Sequence, residues 1–153
     1  MKKNIRFPVS VHILSLIAIN KRFTNTSELI SRSVNTNPVV IRRLLSLLKK
    51  AGLVKVNAGV GGAELCRPPE DITLLDVYKA ANPDWGGGFF RLHENPNPEC
   101  IVGGNIIDAL ETPLDKVNEA MLSNLASVSI ADIAAFIKSC QGKDRKMISK
   151  EGS

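Results

Sequence analysis

Residues 25–68 read NTSELISRSVNTNPVVIRRLLSLLKKAGLVKVNAGVGGAELCRP, and this stretch decides how the chain folds. Its first part predicts a short helix, because Asn25 and Glu28 have the spacing of a capping box. Thr26 and Ser27 are alternative N-caps for the same helix. The polar run SVNT that follows is poorly suited to a helix and is expected to end it.

A second and stronger helix is predicted over residues 38–51. Asn37 is a good N-cap, and Pro38 suits the first helical position, where its missing N–H costs nothing. Gly52 is expected to end the helix, because glycine takes the left-handed conformation at low cost. The apolar spacing predicts one buried face and leaves the basic side chains in solvent; that face would hold Val40, Leu44, Leu47 and Leu48.

A glycine-tipped β-hairpin completes the stretch. Residues 53–56 alternate β-branched side chains, and residues 57–62 are rich in types that tolerate positive φ. Residues 63–67 form the return strand, and the proline pair at 68–69 stops it. Helix, turn, helix and hairpin in this order are the plan of a winged helix-turn-helix, whose second helix enters the major groove of DNA.

Charge is distributed unevenly along the chain. Residues 1–67 hold twelve lysines and arginines but only two acidic residues, which gives +10. Residues 68–153 hold eight basic and thirteen acidic residues, which gives −5. A basic half that coincides with the predicted reading head is the electrostatic footprint of a polyanion binder. We therefore expect double-stranded DNA as the partner.

The predicted DNA contacts come from both helices and the hairpin. Arg42 and Arg43 lie one turn into the second helix, where guanidinium groups can reach guanine edges or phosphates. A solvated basic face is the alternative for this pair, and capping alone would also explain Asn37. The remaining predicted contacts are Thr26, Ser27, Thr36, Asn37, Val39, Asn57, Gly59, Val60 and Gly61.

The rest of the N-terminal half completes a mainly α-helical domain with one small β-hairpin. Pro8 is placed for the first turn of an opening helix whose apolar residues recur at helical spacing. Thr73 is expected to cap a further helix, so that residues 1–81 form the DNA-binding domain. Residues 82–104 are rich in proline and glycine, which predicts an irregular, partly mobile, sensor-like loop.

Residues 105–140 predict two dimerisation helices, followed by a flexible polar tail at 141–153. The Thr112-Pro113 step is expected to kink or restart the first of them. Its apolar stripe has no evident partner in the head, so a second copy of the chain is the economical partner. The predicted interface holds Ile106, Leu110, Leu114, Val117, Met121 and Leu125.

Several motifs together resemble those of the Rrf2 family of bacterial transcription regulators. They are RRLL at 42–45, LKKAGLV at 48–54, GG at 61–62, RPP at 67–69 and ITLLDV at 72–77. Two further motifs are similar to those of the YwnA-like branch of the family: AGVGGA at 58–63 and PNP at 96–98. The resemblance implies a homodimer built on the long helix, DNA reading by helix and wing, and usually repression.

The cysteines depart from one pattern within this family. Iron–sulfur members carry three closely spaced cysteines in the segment equivalent to 90–106, where this chain has Cys100 alone. Thiolates hold such clusters, usually four of them, so we expect no iron–sulfur cluster, no metal and no other cofactor. Polar, turn-forming neighbours make Cys100 the sensor candidate. An unreactive cysteine or a metal site shared with His93 is the alternative, and Cys66 and Cys140, within regular elements, are expected to react slowly.

Other sequence features limit the classes of protein to which the chain can belong. No apolar run approaches the roughly 20 residues that a membrane-spanning helix needs, and three widely spaced cysteines suit a reducing cytoplasm. A Cys100–His93 pair lacks an oxyanion device or an orienting partner, so we expect no enzyme activity.

The sequence thus predicts a cytoplasmic, homodimeric repressor that reads a palindromic operator. Helix 38–51 and wing 55–65 would read the DNA, and a thiol or small-molecule signal at the 82–104 loop would modulate binding. The alternatives are a protein-interaction module without sequence-specific DNA binding and an iron–sulfur or metal-dependent sensor.

Overall fold

The computed structural model describes residues 3–59 and 61–148, and it confirms a mainly helical protein with one β-hairpin. A single turn of 3-10 helix, Pro69–Asp71, follows the hairpin. The other elements in chain order are α1 (Lys3–Ile19), α2 (Ser27–Val34), α3 (Pro38–Lys50), β1 (Val54–Asn57), β2 (Gly62–Leu65), α4 (Leu74–Ala81), α5 (Ile106–Ser127) and α6 (Ile130–Ile148).

Helix α1 lies at the centre of the core. It packs against α2, α3, α4, α6 and β2, and it contributes Ile13, Leu14, Ile17 and Ala18 to the buried cluster. The expectation that Pro8 would lie in the first turn is wrong, because the helix already begins at Lys3. A proline at this depth removes one backbone hydrogen bond, and the packing on several sides of α1 offsets that loss.

Capping side chains define the two helices of the helix-turn-helix. Thr26, rather than Asn25 or Ser27, caps α2, and its Oγ1 accepts a hydrogen bond from the Leu29 N–H at 3.2 Å. Asn35 ends α2 in the left-handed conformation at φ 59°. The Asn37 Oδ1 then accepts from the Val39 N–H at 2.8 Å and caps α3, as expected.

The buried face of α3 differs in part from the expected one. Val40 and Leu47 are half-buried and pack against the edge of the core, so they face inward as expected. The most deeply buried side of the helix meets α1, α2 and α4. That side holds Ile41, Leu44, Leu45 and Leu48.

Backbone hydrogen bonds join the C-terminal helices to the head. The Leu74 N–H donates to the Val128 carbonyl at 2.9 Å, and the Ile130 N–H donates to the Ile72 carbonyl at 2.8 Å. Helix α6 then packs against α1, and its Ile130 and Ala134 enter the core. The head core therefore extends beyond the segment that the sequence assigned to it.

The second half of the chain is a loop followed by two long helices. Residues 82–104 contain no regular helix or strand, in agreement with the expected irregular loop. Helix α5 continues through Pro113, so the predicted restart does not occur. Helix α6 extends to Ile148, beyond the boundary expected at residue 140, and residues 149–153 lie outside the described part of the chain. Among the described helices, none combines the length and apolar character needed to span a membrane.

Candidate nucleic-acid interface

The outward side of α3 presents a continuous row of exposed residues. Val39, Arg42, Arg43 and Ser46 follow helical spacing, and all four are exposed, Val39 to 57%. The opposite side of α3 is buried, so the direction in which this row points is determined by the core. Ser46 was not among the predicted contacts, although its spacing from Val39 and Arg42 could have identified it.

The two arginines of α3 differ in their environment. The Arg42 Nη2 lies 2.7 Å from the Glu28 Oε1 on α2, and both side chains are 57% exposed. Exposed ion pairs of this kind contribute little stability, about 0–1 kcal/mol. No salt bridge within the described part of the chain involves Arg43. Arg43 is therefore the more available cation.

Some of the polar residues at the starts of α2 and α3 already make hydrogen bonds that cap these helices. The side-chain oxygens of Thr26 and Asn37 accept capping hydrogen bonds, and Asn37 is exposed. An amide group also carries two N–H donors, so capping does not exhaust the hydrogen bonds that Asn37 can make. Thr26, Ser27 and Thr36 are half-buried.

The hairpin forms the wing, with Lys55 directly opposite Glu64 and Asn57 opposite Gly62. The Lys55 Nζ lies 3.1 Å from the Glu64 Oε2. A hydrogen bond from Lys55, together with its charge, lowers the pKa of the Glu64 carboxyl. Both acidic residues of the basic half are thus paired with cations.

The wing tip is glycine-rich and open. Asn57 and Gly59 are exposed, Gly61 is half-buried, and the predicted contact Val60 lies outside the described residues. Gly59 has φ 80°, a conformation that residues with a side chain rarely adopt.

A loop that holds none of the predicted DNA contacts packs beside the wing. The Ala63 N–H donates to the Asn25 carbonyl at 2.9 Å. A Cβ atom on Gly62 would lie only 2.8 Å from that carbonyl oxygen, so glycine is required for this approach. The neighbouring Lys21, Arg22 and Phe23 are exposed and line a cleft of about 570 Å³ between loop and wing. The Lys-Arg-Phe run between α1 and α2 is the sequence signal that could have identified this loop as a candidate contact.

Helix α5 leaves part of its apolar face uncovered within the protomer. None of its residues is buried, although it packs against α4. Of the predicted interface residues, Val117 and Met121 are the most open, at 42% and 37% exposure. The half-buried members of the set are Ile106, Leu110, Leu114 and Leu125. Two further exposed apolar residues, Phe136 and Ile137, lie on α6.

All three cysteines are exposed, including Cys66 and Cys140. Cys66 lies just after β2 rather than within a regular element, whereas Cys140 lies on α6 as expected. That these two react slowly stays a prediction. Hydrogen bonds from the backbone N–H groups of Gly103 and Val102 lower the pKa of the Cys100 thiol. Such bonds stabilise the thiolate, which is the reactive form.

Comparison with known proteins identifies the family. The family model Rrf2, described as iron-dependent transcriptional regulator, matches residues 4–135. The chain belongs to the Rrf2 family. It is 48% identical over 130 residues to YwnA of Bacillus subtilis (strain 168), a protein named as an HTH-type transcriptional regulator, and the match covers 85% of this chain and 95% of YwnA.

Solved structures agree with this Rrf2 assignment. A protein described as DNA binding has a TM-score of 0.67 at 44% identity, with 84% of this chain and 97% of that chain covered. CymR, named as the global cysteine regulator of B. subtilis, has the same TM-score at 20% identity, with 89% and 98% covered. The fold is therefore that of the winged helix-turn-helix regulators, as predicted.

The family description names iron, so the side chains of this chain that could bind iron are compared with those that an iron–sulfur cluster needs. Iron–sulfur clusters are held by thiolates, usually four of them. The segment 82–106 supplies Cys100 alone. Among the described residues, no group of three or more His, Cys, Asp or Glu is placed to hold a metal ion. Within the described part of one protomer, the side chains therefore offer no such set of thiolates.

Proposed function

We propose that this Rrf2-family protein is a cytoplasmic, homodimeric transcriptional repressor that reads a palindromic operator through α3 and the wing. The observation that carries the proposal is the exposed row on α3, beside a glycine-tipped hairpin, in the half of the chain that carries +10. A rigid basic helix suits the major groove, and the hairpin suits the flanking backbone.

Each part of the interface has a distinct role in this proposal. Residues at the start of a recognition helix lie nearest the bases. There the Asn37 amide can donate hydrogen bonds, and the Val39 methyl groups can pack on a thymine methyl. Arg43 would contact a guanine edge, while Thr26, Ser27, Thr36 and the wing N–H groups would contact phosphates. Lys21 and Arg22 extend the phosphate contacts beyond the wing.

The homodimer is supported by the apolar face of α5. Val117 and Met121 remain open although they lie on a long helix that packs against α4. A helix with an uncovered apolar stripe is normally buried against a partner. Most soluble oligomers are two-fold symmetric, and a two-fold dimer presents two reading helices to a palindromic site.

We also propose that the protein works without an iron–sulfur cluster and catalyses no reaction. The single cysteine in the 82–106 segment supports the first statement. The names of the relatives, which are those of transcriptional regulators, support the second.

A binding-site selection with random duplexes tests the proposed function. Protein purified without oxygen should be colourless and should enrich one palindromic sequence. The affinity for that duplex should fall with salt with a log–log slope of about −0.9 for each phosphate contacted. The Lys21→Ala/Arg22→Ala variant should make the slope shallower by about 1.8, because two phosphate contacts are lost.

Two results would contradict the proposal. A folded, dimeric protein that enriches no duplex would instead favour a protein-interaction module. Visible charge-transfer bands with stoichiometric iron and sulfide would overturn the cluster-free assignment. A repressor, as opposed to an activator, should also lower transcription in vitro from a promoter that contains the selected sequence.

Cys100 is the proposed thiol sensor. Because its pKa is lowered, a larger fraction is thiolate near neutral pH, and its alkylation should persist to lower pH than that of an ordinary thiol. Iodoacetamide should therefore label Cys100 faster than Cys66 and Cys140. Peptide mapping of the native protein at several pH values measures the three rates.

Cys100→Ser provides the control for this prediction. The substitution should remove the fast labelling phase, and peroxide should weaken operator binding in the wild type but not in the variant. A fast phase that persists in Cys100→Ser would assign the reactive thiol to another cysteine. An equal response to peroxide in both proteins would exclude Cys100 as the sensor.

A further inference from the structure

Four of the seven aromatic residues of the chain line one cleft of about 410 Å³ between α1, α4 and the loop that follows α4. The ring centre of Tyr78 lies 5.5 Å from that of Phe7, 6.2 Å from that of Trp85 and 4.9 Å from that of Phe89. All four residues are only half-buried. Each residue therefore keeps some accessible surface, unlike a residue sealed in a core.

The size and composition of this cleft are those of a small-molecule site. Such sites typically have roughly 300–1,000 Å³ and combine aromatic walls with a few polar groups. Planar rings stack favourably in offset or edge-to-face arrangements, so the four side chains favour a flat aromatic ligand. A flexible aliphatic chain would gain less from the same walls.

The polar groups around the rings favour a negative charge on the ligand. Arg91 lines the cleft, and the Lys79 ammonium lies 5.7 Å from the centre of the Trp85 ring. Asn82 adds an amide that can donate hydrogen bonds. Asp84 also lines the cleft, but it is engaged in an interaction of its own.

One donor of a residue that lines the cleft lacks an acceptor. The Trp85 Nε1 is buried and has no hydrogen-bond partner among the described residues. Buried N–H groups are nearly always satisfied, and an exception calls for an explanation such as strain or a bound water or ion. A carboxylate supplies acceptor oxygens, and it also pairs well with a guanidinium such as that of Arg91.

The cleft is connected to the proposed dimer helix. The Phe89 N–H donates to the Asn118 Oδ1 on α5 at 3.1 Å. The loop that closes the cleft is thus held between α4 of the reading head and the middle of α5. A ligand that moves this loop would change how α5 is positioned relative to the head.

We propose that this cleft binds a small planar aromatic carboxylate, which is the effector of the regulator. The effector role rests on the proposed function, whereas binding of the ligand does not. A ligand shifts DNA affinity only by as much as its affinity differs between the DNA-competent and DNA-incompetent states.

The single tryptophan of the chain lies in this cleft, so its fluorescence reports on occupancy directly. Titration of the full-length protein with benzoate should give a saturable change. Cyclohexanecarboxylate, which is not planar, and benzamide, which has no charge, should each bind at least roughly tenfold more weakly. Arg91→Gln should weaken benzoate binding by a similar factor, whereas Arg32→Gln, an exposed arginine on α2, should leave it unchanged.

The outcomes separate the site from the proposed function. A benzoate response that does not saturate, or one that Arg91→Gln and Arg32→Gln affect equally, overturns the site. A saturable response with no change in operator affinity overturns the effector role alone. Because the fluorescence titration contains no DNA, a failure of operator binding in the selection experiment leaves the result for the cleft intact.

Discussion

Val117→Asp is expected to convert the protein from dimer to monomer and to lower operator affinity by roughly 100-fold or more, which corresponds to about 2.7 kcal/mol or more. Val117 is 42% exposed in the protomer and lies on the uncovered apolar side of α5. A carboxylate there would be buried without a partner in a dimer, and an unpaired buried charge is strongly unfavourable. A monomer also contacts only one half-site, so it loses the second reading helix.

Analytical ultracentrifugation and operator titration measure the two effects. Ser123→Asp is the matched control, because it places the same charge on an exposed position of the opposite side of α5. This control should remain dimeric. A Val117→Asp protein that stays dimeric, with an unchanged thermal unfolding transition, would show that the subunits meet through another surface. Phe136 and Ile137 on α6 would then be the next candidates.

Arg43→Ala is expected to lower affinity for the selected operator by about 1–3 kcal/mol, which is roughly 5- to 150-fold. Arg43 points outward from α3, and no salt bridge among the described residues holds it. Arg42→Ala should cost less, because Arg42 must first leave Glu28 to reach DNA. Arg43→Lys should restore only part of the affinity, since an ammonium cannot make the bidentate contact to guanine.

Comparison of specific and random duplexes identifies the kind of contact. A base contact by Arg43 predicts a larger loss on the operator than on random DNA, together with relaxed preference at one base pair. Lys50→Ala, at the far end of α3, is the control and should lower both affinities slightly and equally. An equal loss on both duplexes for Arg43→Ala would assign Arg43 to the phosphate backbone.

The fold was predictable where neighbouring residues decide the conformation. The Thr73 and Asp76 side chains and backbone N–H groups form a reciprocal capping box, and the Asn37–Pro38 pair begins α3 as expected. Gly52 has φ 74° at the end of that helix. Each of these features depends on hydrogen bonds or steric limits within a few residues, so one sequence window contains all the relevant information.

The candidate site was predictable only in part. The charge division between the two halves and the outward position of Arg42 and Arg43 follow from composition and helical spacing. The ion pair between Arg42 and Glu28 does not, because it depends on how α2 and α3 cross. The loop with Lys21 and Arg22 was missed for a similar reason. Its proximity to the wing depends on the contact between Asn25 and Ala63, nearly 40 residues apart.

Local sequence thus determined where the helices, turns and hairpin lie and which half carries the positive charge. The tertiary structure decided that α1 extends on both sides of Pro8, that α6 packs back onto α1, and that Phe7 meets the aromatic residues of segment 78–89 in one cleft. These outcomes depend on burial of apolar surface between segments far apart in the chain. Burial is non-directional and roughly proportional to area, so it leaves little trace in the order of residues along one segment.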